Sequence, residues 1–234
     1  MTYRYIKVER AEHVCKVILA RPEKRNAFTP TMVNEIYHLF QEINSDDTLK
    51  VVTIHAEGPI FCAGMDLKTF EDPTLDESNP NIVNKNISLG EVFDSLQKPS
   101  VAIVEGNVIA GGFLIILGCT YVFANKDVRF RLPELDLGIF PFQVMASLLK
   151  IMPEKKVLQL CLDTEYFDFE RALNLGIVDA QLDMDKLNAL ITSFKNKASL
   201  ALKEGIKSLR ALKSIPAEEQ FTYLKGILDN LKKG

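Results

Sequence analysis

VAIVEGNVIAGGFLIILGCTYVFA, residues 101–124, contains four short elements in close succession. Residues 101–104 form an apolar run of strand length, and GNVIAGG follows as a turn rich in glycine. FLIILGC then predicts a buried helix, and TYVFA predicts a second buried strand. A strand, a helix and a further strand in this order predict a βαβ unit, whose two strands lie parallel in one sheet.

A similar order of elements occurs earlier, over residues 51–70. A short apolar strand at 51–54 precedes a Gly-Pro turn at 58–59, and IFCAGMDLKTF occupies 60–70. Two units of this kind predict an α/β core. Before them, residues 5–9 and 14–20 predict two antiparallel strands that are joined near 11–13.

Helices are predicted between and after these units. Thr29 is a suitable N-cap and Pro30 suits the first helical position. The apolar residues that follow recur at helical spacing, namely Met32, Val33, Ile36, Leu39, Phe40 and Ile43. Residues 71–88 are polar and predict a mobile loop or lid. Further helices are predicted at 88–96, 153–163 and 168–175, and a C-terminal helical layer at 185–197, 198–213 and 217–233.

Composition excludes several classes of protein. The chain has 234 residues, of which 47% are hydrophobic and 25% charged, and these values are typical of a globular protein with one or two domains. A net charge of −3 gives no reason to expect a nucleic-acid partner. The four cysteines and three histidines are scattered, so neither disulfides nor a metal site are expected. Without a signal-like N-terminus or an apolar run of membrane length, the expected location is the cytoplasm.

Two turns with glycine are candidates for binding a negatively charged oxygen. They are Ala63-Gly64-Met65-Asp66 and Ile109-Ala110-Gly111-Gly112, and each lies where a strand leads into a helix. The first N–H groups of a helix have no internal partner and carry partial positive charge. Two such ends that meet could bind an oxyanion, although tight helix packing explains each turn equally well.

Glu134 is the candidate general base. It lies in Leu132-Pro133-Glu134-Leu135 among apolar residues, and IFPF follows shortly after. A carboxylate in apolar surroundings has a raised pKa, which suits proton abstraction. From the residues alone, an exposed loop glutamate is the alternative.

Five segments together resemble one known family. RPEKRNAF, FCAGMDL, EGNVIAGGFLIILGCTYVFA, RFRLPELDLGI and FERALNLGIVDA resemble the crotonase (enoyl-CoA hydratase/isomerase) superfamily in order and spacing. The resemblance implies an α/β crotonase (ClpP-like) fold of repeated ββα units in two nearly perpendicular sheets, with a C-terminal helical layer. It implies a core domain at 1–180 and a trimerisation region at 181–234, and thus a homotrimer or a dimer of trimers.

The resemblance also implies a catalytic device. Backbone N–H groups of Met65 and Gly111 would hold the thioester oxygen of the substrate, and Glu134 would move the proton. Hydratases of this family have a second glutamate after the glycine turn, where this chain has Leu114. A single carboxylate suits the isomerases, which shift a double bond from Δ3 to Δ2 of an enoyl-CoA, and the chain is most similar to these.

The substrate would be a thioester of coenzyme A or of an acyl-carrier protein, with no other cofactor. By resemblance, Lys24 and Arg25 would contact CoA phosphates, and Asp66, Leu67 and Lys68 would lie near the adenine pocket. Ala63 is a further expected substrate-binding residue. The acyl pocket would be lined by Ile109, Phe113, Leu114, Phe140, Pro141 and Phe142. Two alternatives stay open: a decarboxylase or dehydratase that acts on carrier-protein-bound intermediates, and a non-catalytic crotonase-like partner subunit.

Overall fold

The computed structural model describes residues 2–233. Within this range lie nine strands: β1 (Ile6–Ala11), β2 (Val14–Leu19), β3 (Val51–Ala56), β4 (Ile60–Cys62), β5 (Ser100–Val104), β6 (Asn107–Ile109), β7 (Tyr121–Ala124), β8 (Phe130–Arg131) and β9 (Ala180–Gln181). The same range contains ten α-helices: α1 (Pro30–Ser45), α2 (Leu67–Glu71), α3 (Leu89–Ser95), α4 (Phe113–Gly118), α5 (Phe142–Leu148), α6 (Glu154–Leu162), α7 (Phe169–Asn174), α8 (Met184–Ser193), α9 (Ser199–Ala211) and α10 (Gln220–Leu231).

The strands form two sheets. One has six strands in the order β1-β2-β3-β5-β7-β9, and the other has three in the order β4-β6-β8. β1 and β2 pair antiparallel, with Ile6 opposite Leu19, and every other pair is parallel. The predicted α/β core and the predicted antiparallel pair are both confirmed.

The short strands β4, β6 and β8 correct one expectation from the sequence. Residues 106–112 were expected to form only a turn, but Asn107–Ile109 pairs with β4 on one side and β8 on the other. Each repeated unit therefore consists of two strands and a helix. Strands of two or three residues are too short to show periodicity, so their pairing partners define them.

The first helix follows from its sequence. Thr29 Oγ1 accepts a hydrogen bond from the Met32 N–H at 3.1 Å, and Pro30 occupies the first turn. The six apolar residues of the predicted face are all buried. This helix lies against β1 and α3.

The polar segment 71–88 is fastened to α1. Asn79 is buried and donates to Glu35 Oε1 at 2.8 Å, while Asp76 accepts from the Thr31 N–H at 2.8 Å. Asn34 Oδ1 accepts from the Lys85 N–H at 2.7 Å. The segment that the sequence predicts as a mobile loop or lid is thus tied to α1 by these three hydrogen bonds.

The C-terminal helices attach in two ways. Leu187 of α8 packs against the face of the large sheet with Val51, Val101 and Phe123. Arg210 of α9 donates to the carbonyls of Phe93 and Leu96, at the C-terminal end of α3. A cation suits the negative end of a helix dipole.

The expected domain boundary between residues 180 and 181 falls inside β9. Within residues 2–233, no helix is long and apolar enough to cross a membrane.

Candidate active site

Three parallel strands end at one edge of the small sheet. Residues 63–65 follow β4, residues 110–112 follow β6, and residues 132–134 follow β8. Because the carboxyl ends of parallel strands meet at the same edge, the two glycine turns and Glu134 are brought together. The topology thus assembles the three elements that the sequence singled out separately.

Phe28 holds the first turn in place. Its N–H donates to the Gly64 carbonyl at 2.8 Å, and its carbonyl accepts from the Asp66 N–H at 2.9 Å. Phe28 and Met65 are therefore paired like residues of adjacent parallel strands. In such a pair the intervening N–H points away from the partner, and the Met65 N–H has no acceptor within residues 2–233.

The second turn lies directly against the first. A β-carbon on Gly64 would be only 2.9 Å from the Gly111 nitrogen, so the two backbones touch. Gly111 lies in a 3-10 turn, Ala110–Gly112, that leads into α4, and its N–H donates to no group that the structure describes. Ala110 has a φ of +52°, a strained value for alanine that is typical of functional turns. Two N–H donors without an acceptor in residues 2–233 thus lie in touching turns, and both residues line one cavity.

These donors open into a cavity of about 470 Å³. Its walls are largely apolar, and its polar side chains are Arg25, Arg131, Glu134, Gln143 and Tyr166. The lining residues are Arg25, Phe28, Ala63, Met65, Leu67, Ile109, Ala110, Gly111, Leu114, Arg131, Pro133, Glu134, Leu137, Ile139, Phe140, Pro141, Phe142, Gln143, Val144 and Tyr166. A cavity of this size can enclose a short acyl chain and its thioester group.

Glu134 is buried in the wall of this cavity. It is 7% exposed, and its Oε2 has no hydrogen-bond partner within the described part of the chain. Burial raises the pKa of its carboxyl group above the usual value, because water no longer solvates the charged form. A carboxylate with a raised pKa and a free oxygen is equipped to take a proton from a bound molecule. The alternative of an exposed loop glutamate is therefore wrong.

Leu114 lines the same cavity and is 2% exposed. Of the lining residues within 2–233, Glu134 alone carries a carboxylate. The cavity thus offers one carboxylate next to two backbone donors in largely apolar surroundings.

The family model described as enoyl-CoA hydratase/isomerase matches residues 9–228. The chain belongs to the enoyl-CoA hydratase/isomerase family. The resemblance that the five sequence segments indicate is confirmed, and the arrangement of two backbone donors beside a carboxylate is present in this member.

Similar proteins of this family carry several names. A carnitinyl-CoA dehydratase of Citrobacter koseri is 31% identical over 91% of this chain and 82% of that protein. A probable enoyl-CoA hydratase of Bacillus subtilis is 29% identical over 76% of this chain and 71% of that protein. Among solved structures, AtuE of Pseudomonas aeruginosa has a TM-score of 0.84 at 25% identity, covering 99% of this chain and 92% of that one. The fold is thus shared along nearly the whole chain.

Most of the residues expected in the family's site lie in the cavity wall. These are Glu134, Met65, Gly111, Arg25, Ala63, Leu67, Ile109, Leu114 and Phe140, together with Pro141 and Phe142. Lys24 and Asp66 do not line it. The Asp66 carboxylate instead accepts from Arg21 Nη1 at 2.7 Å, which ties the first loop to the first turn. Phe113 is also outside the cavity, since it is fully buried against Phe130 and Phe167.

Residues near the site that sequence reasoning missed include Phe28, Arg131 and Tyr166. Phe28 is the last residue of the first loop, RPEKRNAF, and the sequence shows it only as an aromatic residue two positions after Asn26. Asn26 is fully buried and fixes this loop by donating to the carbonyls of Glu57 and Ile60, both at 2.8 Å. Arg131 and Tyr166 lie far apart in the chain and gave no signal.

Cys62 is a packing residue beside the first glycine turn. Its thiol is fully buried and lies 3.1 Å from the Asn26 carbonyl. Burial raises the pKa of this thiol to about 12, so it stays protonated and is a poor nucleophile.

Proposed function

We propose that this protein is an enoyl thioester isomerase that moves a double bond from Δ3 to Δ2. The observation that carries the proposal is the single buried carboxylate, Glu134, in a cavity that also holds two free backbone donors. The carboxylate and the two N–H donors are sufficient for a reaction in which one proton leaves one carbon of the substrate and returns to another. Within residues 2–233, the cavity wall holds no second carboxylate.

The reaction balances with these groups alone. The Glu134 carboxylate takes a proton from C2 of a 3-enoyl thioester, and the electron pair spreads over the dienolate. The developing charge on the thioester oxygen is stabilised by the N–H groups of Met65 and Gly111, each worth about 10²–10³ in rate. Glu134 then returns the proton to C4, which leaves the double bond between C2 and C3. The raised pKa of the carboxyl group makes it a stronger base for the first step.

Hydration or dehydration is the second candidate, because similar proteins bear the names of hydratases and dehydratases. Adding water requires one group to position it and another to supply the C2 proton. Leu114 stands where hydratases of this family have the other glutamate, and the absence of one acid–base group commonly lowers a rate by about 10²–10⁴. Leu114 therefore favours isomerisation.

An absorbance assay separates these reactions. A 3-enoyl-CoA that gains absorbance from the conjugated 2-enoyl thioester supports isomerisation, and a 2-enoyl-CoA that loses absorbance reveals hydration. Glu134→Gln should lower isomerisation by about 10²–10⁴. Glu170→Gln is the matched control, since Glu170 is an exposed carboxylate on α7.

Leu114→Glu places a glutamate where hydratases of this family have their second one, and this variant should show measurable hydration. Wild-type hydration that is faster than isomerisation would contradict the proposal. Turnover only with a carrier-protein thioester, or loss of CO₂ from an acyl substrate, would favour the decarboxylase or dehydratase alternative. No binding of any thioester would favour a non-catalytic subunit.

Coenzyme A is the proposed carrier, with Lys24 and Arg25 as contacts for its phosphates. Both are exposed on the first loop, and Arg25 reaches the cavity wall. Ala63 and Leu67 would line the path of the pantetheine arm, while Asp66 would act by holding Arg21. Charge reversal at Lys24 and Arg25 should raise KM for an enoyl-CoA. It should leave KM for the matching enoyl-pantetheine, which has no phosphates, unchanged.

The region 181–234 is the proposed trimerisation region. Apolar side chains of α9 and α10 are exposed, among them Leu209 at 69% and Phe221 at 84%. Exposed apolar groups of this kind favour burial against another surface. Light scattering should give the mass of a trimer or of a dimer of trimers, and Leu209→Lys with Phe221→Lys should give the monomer mass. A monomeric wild type would contradict the proposal.

A further inference from the structure

Arg131 is an unexpected group in the wall of an apolar cavity. It lies in β8 directly opposite Ile109 of β6. Side chains opposite each other in paired strands project from the same face of the sheet, and both of these residues line the cavity. Arg131 is therefore part of the same wall as Ile109, which directly precedes the second glycine turn.

The guanidinium group is held in one orientation by three contacts. Its Nε donates to the Thr164 carbonyl at 2.6 Å, and its Nη2 donates to Asp136 Oδ2 at 2.8 Å. Its carbon lies 5.2 Å from the centre of the Tyr166 ring, which also lines the cavity. The guanidinium group is thus held through Nε and Nη2, and its Nη1 has no protein acceptor within residues 2–233.

The position of Nη1 has a consequence for binding. Arg131 lines the cavity with its side chain 30% exposed, so an acyl group that displaces water from Nη1 would leave a charged donor without a partner, which is costly. An oxygen on the acyl group would remove this cost by accepting from Nη1. The Asp136 carboxylate, 2.8 Å from Nη2, offsets part of the charge of Arg131, which favours a neutral acceptor over a second carboxylate.

We infer that Arg131 makes this cavity selective for an acyl group that carries a hydroxyl or carbonyl oxygen outside the thioester. The inference rests on the proposed function, because it takes the cavity to hold the acyl part of a thioester. It assigns Arg131 to specificity and leaves proton transfer to Glu134.

Calorimetry with saturated ligands tests this without turnover. Four probes are compared: hexanoyl-CoA, 4-oxohexanoyl-CoA, 5-oxohexanoyl-CoA and adipoyl-CoA. At least one oxo ligand should bind about 10-fold more tightly than hexanoyl-CoA, the gain typical of one hydrogen bond to a charged group that is partly solvated. Adipoyl-CoA should show no comparable gain in the wild type.

Two variants separate recognition from a purely structural role. Arg131→Met should abolish the preference for the oxo ligand, because it removes the cost of the unpartnered donor and hexanoyl-CoA should then bind about as tightly as the oxo ligand. Asp136→Asn keeps a hydrogen-bond acceptor but removes its charge, so adipoyl-CoA should now bind more tightly than hexanoyl-CoA. Thermal unfolding curves would identify a variant that fails to fold, and the wild-type comparison does not depend on either variant.

Three results would overturn the inference. They are equal binding of all four probes to the wild type, a uniform loss of affinity in Arg131→Met, or no change of preference in Asp136→Asn. If hexanoyl-CoA still binds, the proposed function stands and the inference alone fails. If no acyl-CoA binds, both fail together.

Discussion

Gly64→Ala should disable the two backbone donors without removing either of them. Gly64 has a φ of +90°, and a β-carbon there would lie 2.7 Å from the β-carbon of Ala110 and 2.9 Å from the Gly111 nitrogen. Relief of the 2.7 Å contact to van der Waals distance requires the turns to separate by about 1 Å. The Gly111 N–H moves with its turn, away from the turn that carries the Met65 N–H.

The effect on rate follows from this displacement. Loss of one such donor costs about 10²–10³ in kcat, and misplacement by about 1 Å costs about 10². A shift of about 1 Å should therefore lower kcat about 100-fold, with a smaller change in KM. Alanine at a positive φ also destabilises the fold by about 1–2 kcal/mol, and the clash adds to this. The Tm should therefore fall by roughly 3–8 °C.

Gly176→Ala is the matched control. Gly176 has a φ of +71°, and a β-carbon there would meet nothing within 4 Å. This variant should show the loss of stability due to backbone strain and keep its kcat. Both variants are assayed with a 3-enoyl-CoA below their melting temperatures. The reasoning is refuted if folded Gly64→Ala keeps wild-type kcat, or if Gly176→Ala loses as much activity.

Three further variants test the buried polar groups. Glu134→Gln should raise the Tm at neutral pH, because a carboxyl group whose pKa is raised on folding contributes stability at low pH and loses it as pH rises through the folded pKa. The gain in Tm should vanish in acid, and a gain independent of pH would contradict this cause. Asn26→Ala removes three hydrogen bonds from a fully buried side chain and should cost about 2–4 kcal/mol in urea unfolding, so a loss below about 1 kcal/mol would be inconsistent. Glu35→Gln replaces an oxygen that accepts from the N–H of Arg4 or Tyr5 and should cost about 2–3 kcal/mol, with faster proteolysis of residues 71–88; unchanged proteolysis would argue that Glu35 does not fasten the segment.

The sequence by itself determined the elements whose signals are local. Helix α1 follows from a Thr-Pro start and an apolar face, and β1 and β2 follow from two short apolar runs. The roles expected of Met65 and Gly111 came from the resemblance to a known family, because the residues alone left helix packing open for each glycine turn and an exposed loop position open for Glu134. Leu114, on which the proposed isomerisation depends, is likewise a single residue whose position is recognised through that resemblance.

Tertiary structure alone decided how these pieces meet. β4, β6 and β8 are too short to show a pattern, and they exist because distant segments pair with one another. Phe28 orients the first turn through two hydrogen bonds that its own sequence context does not reveal. The cavity wall at Arg131 depends on Thr164, Asp136 and Tyr166, which come together only in the folded chain. Local residues fix local conformation and chemical type, whereas burial, partner and pKa depend on the neighbours that folding supplies.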